Sequence, residues 1–266
     1  MTNRLKAIEE AYPGREHPLL VTGVVIGDPV LEATVDYGEV LVESGADILE
    51  LWVPFSDPIY HGPVLRRAFE RATSDRITCE DVQEVVSELR RRCGEVPIVI
   101  SSYGNRLVGP GPEGCIPELV EAGADGLYLM DVPDGELGLV RDVAKASSMA
   151  LVRSVAPTTT RERFQQVCKG GEGLVIWQGH RGEGPELSMG EFKARVEALK
   201  PWATMPVVAS MSIESAEEAR QIADITQGVM VSTSLAWQIE GRGPNVKERL
   251  ARFVGDLRSA LDGEEE

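Results

Sequence analysis

Two side chains in this sequence have the type and setting to move protons. Glu50 stands in the apolar run Ile48-Leu49-Glu50-Leu51-Trp52. A carboxylate buried there without a partner or a task is costly. Burial also raises its pKa toward neutrality, which suits general acid/base work. The structural alternative is a buried carboxylate paired to backbone or to an arginine. Further on, His61 lies in the run Val53-Pro54-Phe55-Ser56-Asp57-Pro58-Ile59-Tyr60-His61-Gly62-Pro63. Its three prolines and one glycine rule out a helix or strand and predict a shaped loop. Histidine takes or gives a proton near neutral pH; the alternative is a loop histidine that only hydrogen-bonds locally. The four cysteines, Cys79, Cys93, Cys115 and Cys168, form no Cys-x-x-Cys pair and read as free reduced thiols. No metal-ligand cluster and no dinucleotide glycine fingerprint is present, so no metal or cofactor is expected.

Something rigid must position those side chains. Short β-rich runs alternate with amphipathic stretches. The runs are Leu19–Ile26, Asp47–Leu51, Ile98–Ser102, Gly126–Met130, Ala150–Val155, Gly173–Trp177, Val207–Ser210 and Gly228–Ser232. They are mostly unbroken and apolar, as expected where helices cover one face of a sheet and a barrel interior fills the other. Between them, Glu32–Ser44, Cys79–Arg92 and Ser215–Ile225 carry apolar residues at helical spacing. Eight strand–helix units in 266 residues predict a (β/α)8 TIM barrel of the α/β class. With no linker or composition break, a single domain over residues 1–266 is expected. Active sites on this fold sit at the C-terminal ends of the strands, which puts Glu50 and the loop after it at the mouth. An internal echo pairs Glu43-Ser44-Gly45-Ala46-Asp47-Ile48-Leu49-Glu50-Leu51 with Glu121-Ala122-Gly123-Ala124-Asp125-Gly126-Leu127-Tyr128-Leu129. Glu50 and Tyr128 then share a side of their strands.

Five ordered motifs carry a resemblance. Gly27-Asp28-Pro29, the Gly45–Leu51 turn and strand, Pro54-Phe55-Ser56-Asp57-Pro58 with Gly62-Pro63, Asp131-Val132-Pro133, and Ala156-Pro157-Thr158-Thr159 together resemble the signature of the tryptophan synthase α subunit family. The resemblance implies retro-aldol cleavage of indole-3-glycerol phosphate to indole and glyceraldehyde 3-phosphate. It implies a strand glutamate, here Glu50, handling protons, and a β-type partner subunit engaged through the Pro54–Pro63 loop.

Three departures from that pattern stand out. The family's loop aspartate falls on His61, which keeps acid/base chemistry but places no fixed negative charge beside the indole nitrogen. The family's phosphate-binding glycine turns read Gln178-Gly179-His180-Arg181-Gly182-Glu183-Gly184-Pro185, Ser210-Met211-Ser212-Ile213 and Val231-Ser232-Thr233-Ser234. Gly184, Ser212, Ser232 and Thr233 are the candidate anion contacts. The pocket wall reads Gly23, Ser101, Tyr128, Ser154 and Met211, with Ile176 where the family has a tyrosine; Tyr60 and Tyr103 complete the candidate substrate set. Serine hydroxyls facing a flat apolar ring would be left unpaired, so a more polar or differently shaped ligand is expected. Arg153, next to Ser154, faces away from the pocket by alternation.

Asp and Glu total 43 against 27 Lys and Arg, for a formal net charge of −16. Such a surface repels nucleic acid and anionic membrane. No apolar run reaches the roughly 20 residues a membrane span needs, and the N-terminal stretch lacks an apolar signal core. The expectation is a soluble, cytoplasmic protein with a small-molecule substrate. The leading reading is a carbon–carbon lyase with Glu50 and His61 as the proton-handling pair. The alternatives are a different chemistry on the same barrel and a catalytically silent subunit that regulates a β-type partner. Retention of Glu50 favours an enzyme.

Overall fold

Apolar runs without a polar face need cover on both sides. The computed structural model describes residues 3–11, 14–15, 17–73, 77–107, 111–179, 188–241, 243 and 245–264. In it the runs become the strands β1 (Leu19–Val25), β2 (Ile48–Trp52), β3 (Ile98–Ser102), β4 (Gly126–Leu129), β5 (Ala150–Leu151), β6 (Arg153–Val155), β7 (Val175–Gln178), β8 (Val207–Ser210) and β9 (Gly228–Val231). Among the described residues these form one sheet in the order β5-β4-β3-β2-β1-β9-β8-β7-β6, with parallel pairing throughout. The predicted run Ala150–Val155 is interrupted at Val152, whose N–H still donates to Leu127 O at 2.9 Å. The two ends of the sheet are thus parts of one stave, and the ring closes into the (β/α)8 barrel expected from the sequence.

The helices around it are α1 (Arg4–Ala11), α2 (Leu31–Glu43), α3 (Pro63–Thr73), α4 (Cys79–Cys93), α5 (Gly104–Leu107), α6 (Pro112–Ala122), α7 (Gly138–Ser147), α8 (Arg161–Gly170), α9 (Met189–Leu199), α10 (Ala216–Ile225), α11 (Thr233–Glu240) and α12 (Val246–Asp262). No helix among the described residues is long and apolar enough to cross a membrane.

Alternation along each stave sorts the core into two layers. Ile48 and Trp52 of β2 join Val21, Val99, Tyr128, Ile176, Val208 and Met230 inside the barrel. Leu49 and Leu51 join Leu20, Ile100, Leu127, Val175, Trp177 and Val229 in the layer against the helices. Glu50, between Leu49 and Leu51, therefore points inward, as does Tyr128. The echoed Gly-Ala-Asp turns are also explained. Asp47 accepts the N–H of Leu20 at 2.8 Å, and Asp125 accepts that of Ile98 at 3.0 Å. Each aspartate locks the entry of its own stave to the preceding one. At the N-terminal end of the barrel, the fully buried Leu5 of α1 fills the space over Gly126 and Gly173.

Candidate active site

Among the described residues, the barrel interior carries one carboxylate at its mouth, and its partners are hydroxyls. Glu50 is fully buried. Ser101 Oγ on β3 donates to Glu50 Oε1 at 2.6 Å, and Ser232 Oγ, just past β9, donates to Oε2 at 3.1 Å. Among the described residues, no backbone group and no arginine is hydrogen-bonded to its carboxylate. Burial pushes Glu50 up to about 7, while the two serine hydrogen bonds and the nearby Trp52 pull the other way. The Trp52 N–H sits close enough to favour the anion yet makes no aligned hydrogen bond. A carboxyl with that balance changes protonation state near neutral pH, as a general acid/base must.

Gly23 explains how this fits. It lies level with Glu50 on the adjacent stave. A Cβ there would come within 2.3 Å of Ser232 Oγ and 2.6 Å of Glu50 Oε2. Gly23 is thus less a wall for a ligand than the space into which the Glu50–Ser232 pair folds. The expectation of unpaired wall serines is corrected for Ser101, whose hydroxyl is spent on Glu50, as is that of the anion candidate Ser232.

His61 sits beside this centre rather than free in the loop. It is buried, with its ring edge-on to Trp52 at 4.6 Å and Phe69 at 4.8 Å between centroids. Tyr103 Oη accepts the Tyr60 N–H at 3.1 Å and lies 2.9 Å from His61 Nδ1. With Tyr103 donating to Nδ1, the ring proton resides on Nε2, which is buried and, among the described residues, without a partner. Burial first, and the charge of Arg66 second, press the imidazole down to about 3. His61 is therefore a neutral imidazole at working pH. Phe55 stacks on Tyr103 at 4.9 Å and holds the phenol in place.

Tyr128 is buried beside Trp52, with ring centroids 6.3 Å apart. Gln178 Nε2 donates to its hydroxyl at 2.6 Å. Burial pushes the phenol up to about 12 despite the hydrogen bonds to Ser154 and Gln178. Ile176 lies in the same interior cluster. Met211 does not; it packs against the layer outside the barrel and over Gly179. Tyr60 contributes its backbone to the site while its side chain is 49 % exposed. Arg153 points outward as expected, into an ion pair with Asp134. Asp134 also takes Arg163 at 2.6 Å, in both cases by charge contact rather than aligned hydrogen bonds.

Of the candidate anion contacts, Ser212 is exposed in the segment after β8. Ser232 and Thr233 start α11, whose first turn has no side-chain cap. Gly184 lies outside the described residues. Trp52 and Gln178 are site residues that the sequence reading missed. The signal was present in alternation, since Trp52 lies two residues from Glu50 and Gln178 two from Ile176. A cavity of about 740 Å³ opens beside this site, under Pro54 and Phe55 and against α4 and α6; Glu50 and His61 are not part of its lining.

Comparison with known proteins gives the family. The family described as tryptophan synthase alpha chain matches residues 11–261. The chain is 34 % identical to the tryptophan synthase alpha chain of Alkalilimnicola ehrlichii, covering 98 % of this chain and 97 % of that one. It is also 34 % identical to that of Aromatoleum aromaticum over 91 % of each. The crystal structure of tryptophan synthase subunit alpha from Legionella pneumophila superposes with a TM-score of 0.90 at 30 % identity, covering 99 % of this chain and 100 % of that one. A closed barrel with a buried glutamate at its mouth, matched nearly from end to end by such relatives, places this chain in the tryptophan synthase alpha chain family of carbon–carbon lyases.

Proposed function

We propose that this chain, working as one domain, cleaves indole-3-glycerol phosphate or a close relative by a retro-aldol step in which Glu50 moves the protons. The observation that carries this reading is the burial of Glu50 on two serine hydroxyls with its pKa raised to about 7. A base at the glycerol hydroxyl and an acid at the ring carbon are both needed, and one carboxyl near its pKa supplies both in turn. His61 stands where the family's loop aspartate falls, but as a neutral imidazole with its proton on Nε2 it would donate to an acceptor on the ligand and would not take the proton of a ring N–H, which leaves Glu50 as the group that moves protons. Trp52, Tyr128 and Ile176 offer the apolar body of the pocket. The uncapped start of α11 at Ser232 and Thr233 suits a phosphate, because backbone N–H groups at a helix N-terminus bind anions.

A substrate altered toward higher polarity finds less support than the sequence alone gave it, since the wall serine Ser101 is already paired. What still favours it is Ser232, whose hydroxyl turns to Glu50 instead of toward an anion. For a β-type partner, the supporting observation is the Pro54–Pro63 loop, where Ile59 is 70 % and Tyr60 49 % exposed.

The test is indole release from indole-3-glycerol phosphate, with and without a β subunit, by the parent chain and by Glu50→Gln. Turnover is expected from the parent, and the variant should lose about 10²–10⁴-fold with its circular dichroism unchanged. A loss below about tenfold would remove Glu50 from the chemistry. No indole from a folded parent chain would turn the reading to an altered substrate.

A further inference from the structure

Two thiols that the lyase reading does not use meet on the flank of the barrel. Cys79 is the first residue of α4, and Cys115 lies in the first turns of α6. Their Sγ atoms are 3.2 Å apart across 36 positions of sequence, and both are free thiols. Cys115 is buried, whereas Cys79 is partly exposed. Gln83 Nε2 donates to Cys79 Sγ at 3.5 Å, and Cys79 is the more exposed of the two sulfurs. Burial, aided by the contact with Cys79, raises the pKa of the Cys115 thiol. Cys115 therefore keeps its proton while Cys79 attacks. Both residues line the cavity of about 740 Å³, along with Arg106 and Glu118. That volume is in the range of small-ligand sites, so a small electrophile reaches the pair without unfolding.

We propose that Cys79 and Cys115 are a reversible dithiol–disulfide pair, with a small-molecule disulfide entering this cavity as the oxidant. The Cys79 thiolate attacks one sulfur of the disulfide RSSR; a Cys79–SR bond forms, the RS–SR bond breaks, and RS⁻ leaves. Cys115 gives its proton to that thiolate and attacks Cys79 Sγ. The Cys79–Cys115 bond forms and the second RS⁻ departs, taking up the proton that Cys79 first released. Two protein thiols and RSSR become one protein disulfide and two RSH, with two electrons passing to the small molecule. The two sulfurs already touch, so only the short approach of bond formation remains. The inference is independent of the lyase reading.

The experiment incubates the native chain in mixtures of reduced and oxidised glutathione, quenches with acid, alkylates and digests. Free thiols are expected to fall from the four in the sequence to two, with a linked peptide joining Cys79 to Cys115, and dithiothreitol should restore all four. A Cys93→Ser, Cys168→Ser variant should form the same link. Because it leaves the pair untouched, the test does not depend on how Cys79→Ser or Cys115→Ser folds. Where those two fold, the link should vanish. Four thiols persisting in excess oxidised glutathione would overturn the proposal. So would a stable glutathione adduct on Cys79 that Cys115 does not resolve, or a link through Cys93 or Cys168.

Discussion

At the scale of single residues, the site is governed by what surrounds one carboxyl. In the unfolded chain Glu50 titrates near its ordinary value of 4.5, and in the folded chain near 7. Between those values the unfolded chain has released the proton that the native chain holds. Stability therefore falls as pH rises through that window, by on the order of 3 kcal/mol, and is level above it. Glu50→Gln lacks this dependence. Denaturant unfolding at a series of pH values should show the variant gaining on the parent between about pH 4.5 and 7, then holding a constant lead. A parallel pair of curves would mean that Glu50 is not held neutral by burial. Gly23 gives a second check. Gly23→Ala drives a methyl into Ser232 Oγ and Glu50 Oε2, and overpacking of this kind costs about 1–3 kcal/mol. With Ser232→Gly in place one of the two clashes is gone, so the double variant should be about 0.5–3 kcal/mol better than the sum of the singles. Additive unfolding free energies in that cycle would show that the two positions do not share space. The identity and inward direction of Glu50 were legible in the sequence, because one charge in an apolar strand with period-two alternation leaves few choices. The destination of the serine hydroxyls was not. It depends on which residues of neighbouring staves come level once the barrel closes, and on the missing Cβ at Gly23.

At the scale of elements, the predicted runs and the strands differ by a residue or two at their ends, because apolar content marks a buried stave without marking where its ladder stops. The break at Val152 was not legible, since Ala150–Val155 is continuous in composition. The neutral state of His61 was hidden for a related reason: a proline-rich loop announces shape, but not that Trp52, Phe69 and Tyr103 will enclose the ring. Helix α4 shows local sequence and fold in agreement. Thr78 Oγ1 accepts the N–H of Asp81 at 3.2 Å, and Asp81 Oδ2 accepts that of Thr78 at 2.6 Å, a reciprocal cap. Thr78→Ala should lower stability by about 1 kcal/mol. The measurement is the shift in denaturation midpoint at unchanged slope; no shift would mean that the start of α4 is held by its packing alone.

At the scale of the whole molecule, the barrel is a well with a floor. Leu5, from the helix that precedes the first stave, fills the end opposite Glu50 and packs against Gly126 and Gly173. Leu5→Ala should cost about 2–5 kcal/mol, read from chemical denaturation, because the closed ring cannot collapse into the space left behind. A cost below about 1 kcal/mol would show that α1 merely rests on the barrel, since truncations in well-packed cores exceed that figure. The floor also dictates traffic. For a substrate that enters only from the Glu50 end, a cleavage that makes two fragments must discharge the outer one before the inner one. Departure is then ordered, and the fragment that leaves last competes with incoming substrate for the empty site. The fragment that leaves first binds only while the other is still inside, so it inhibits without competing. The pattern of product inhibition would therefore name the fragment that lies against Glu50.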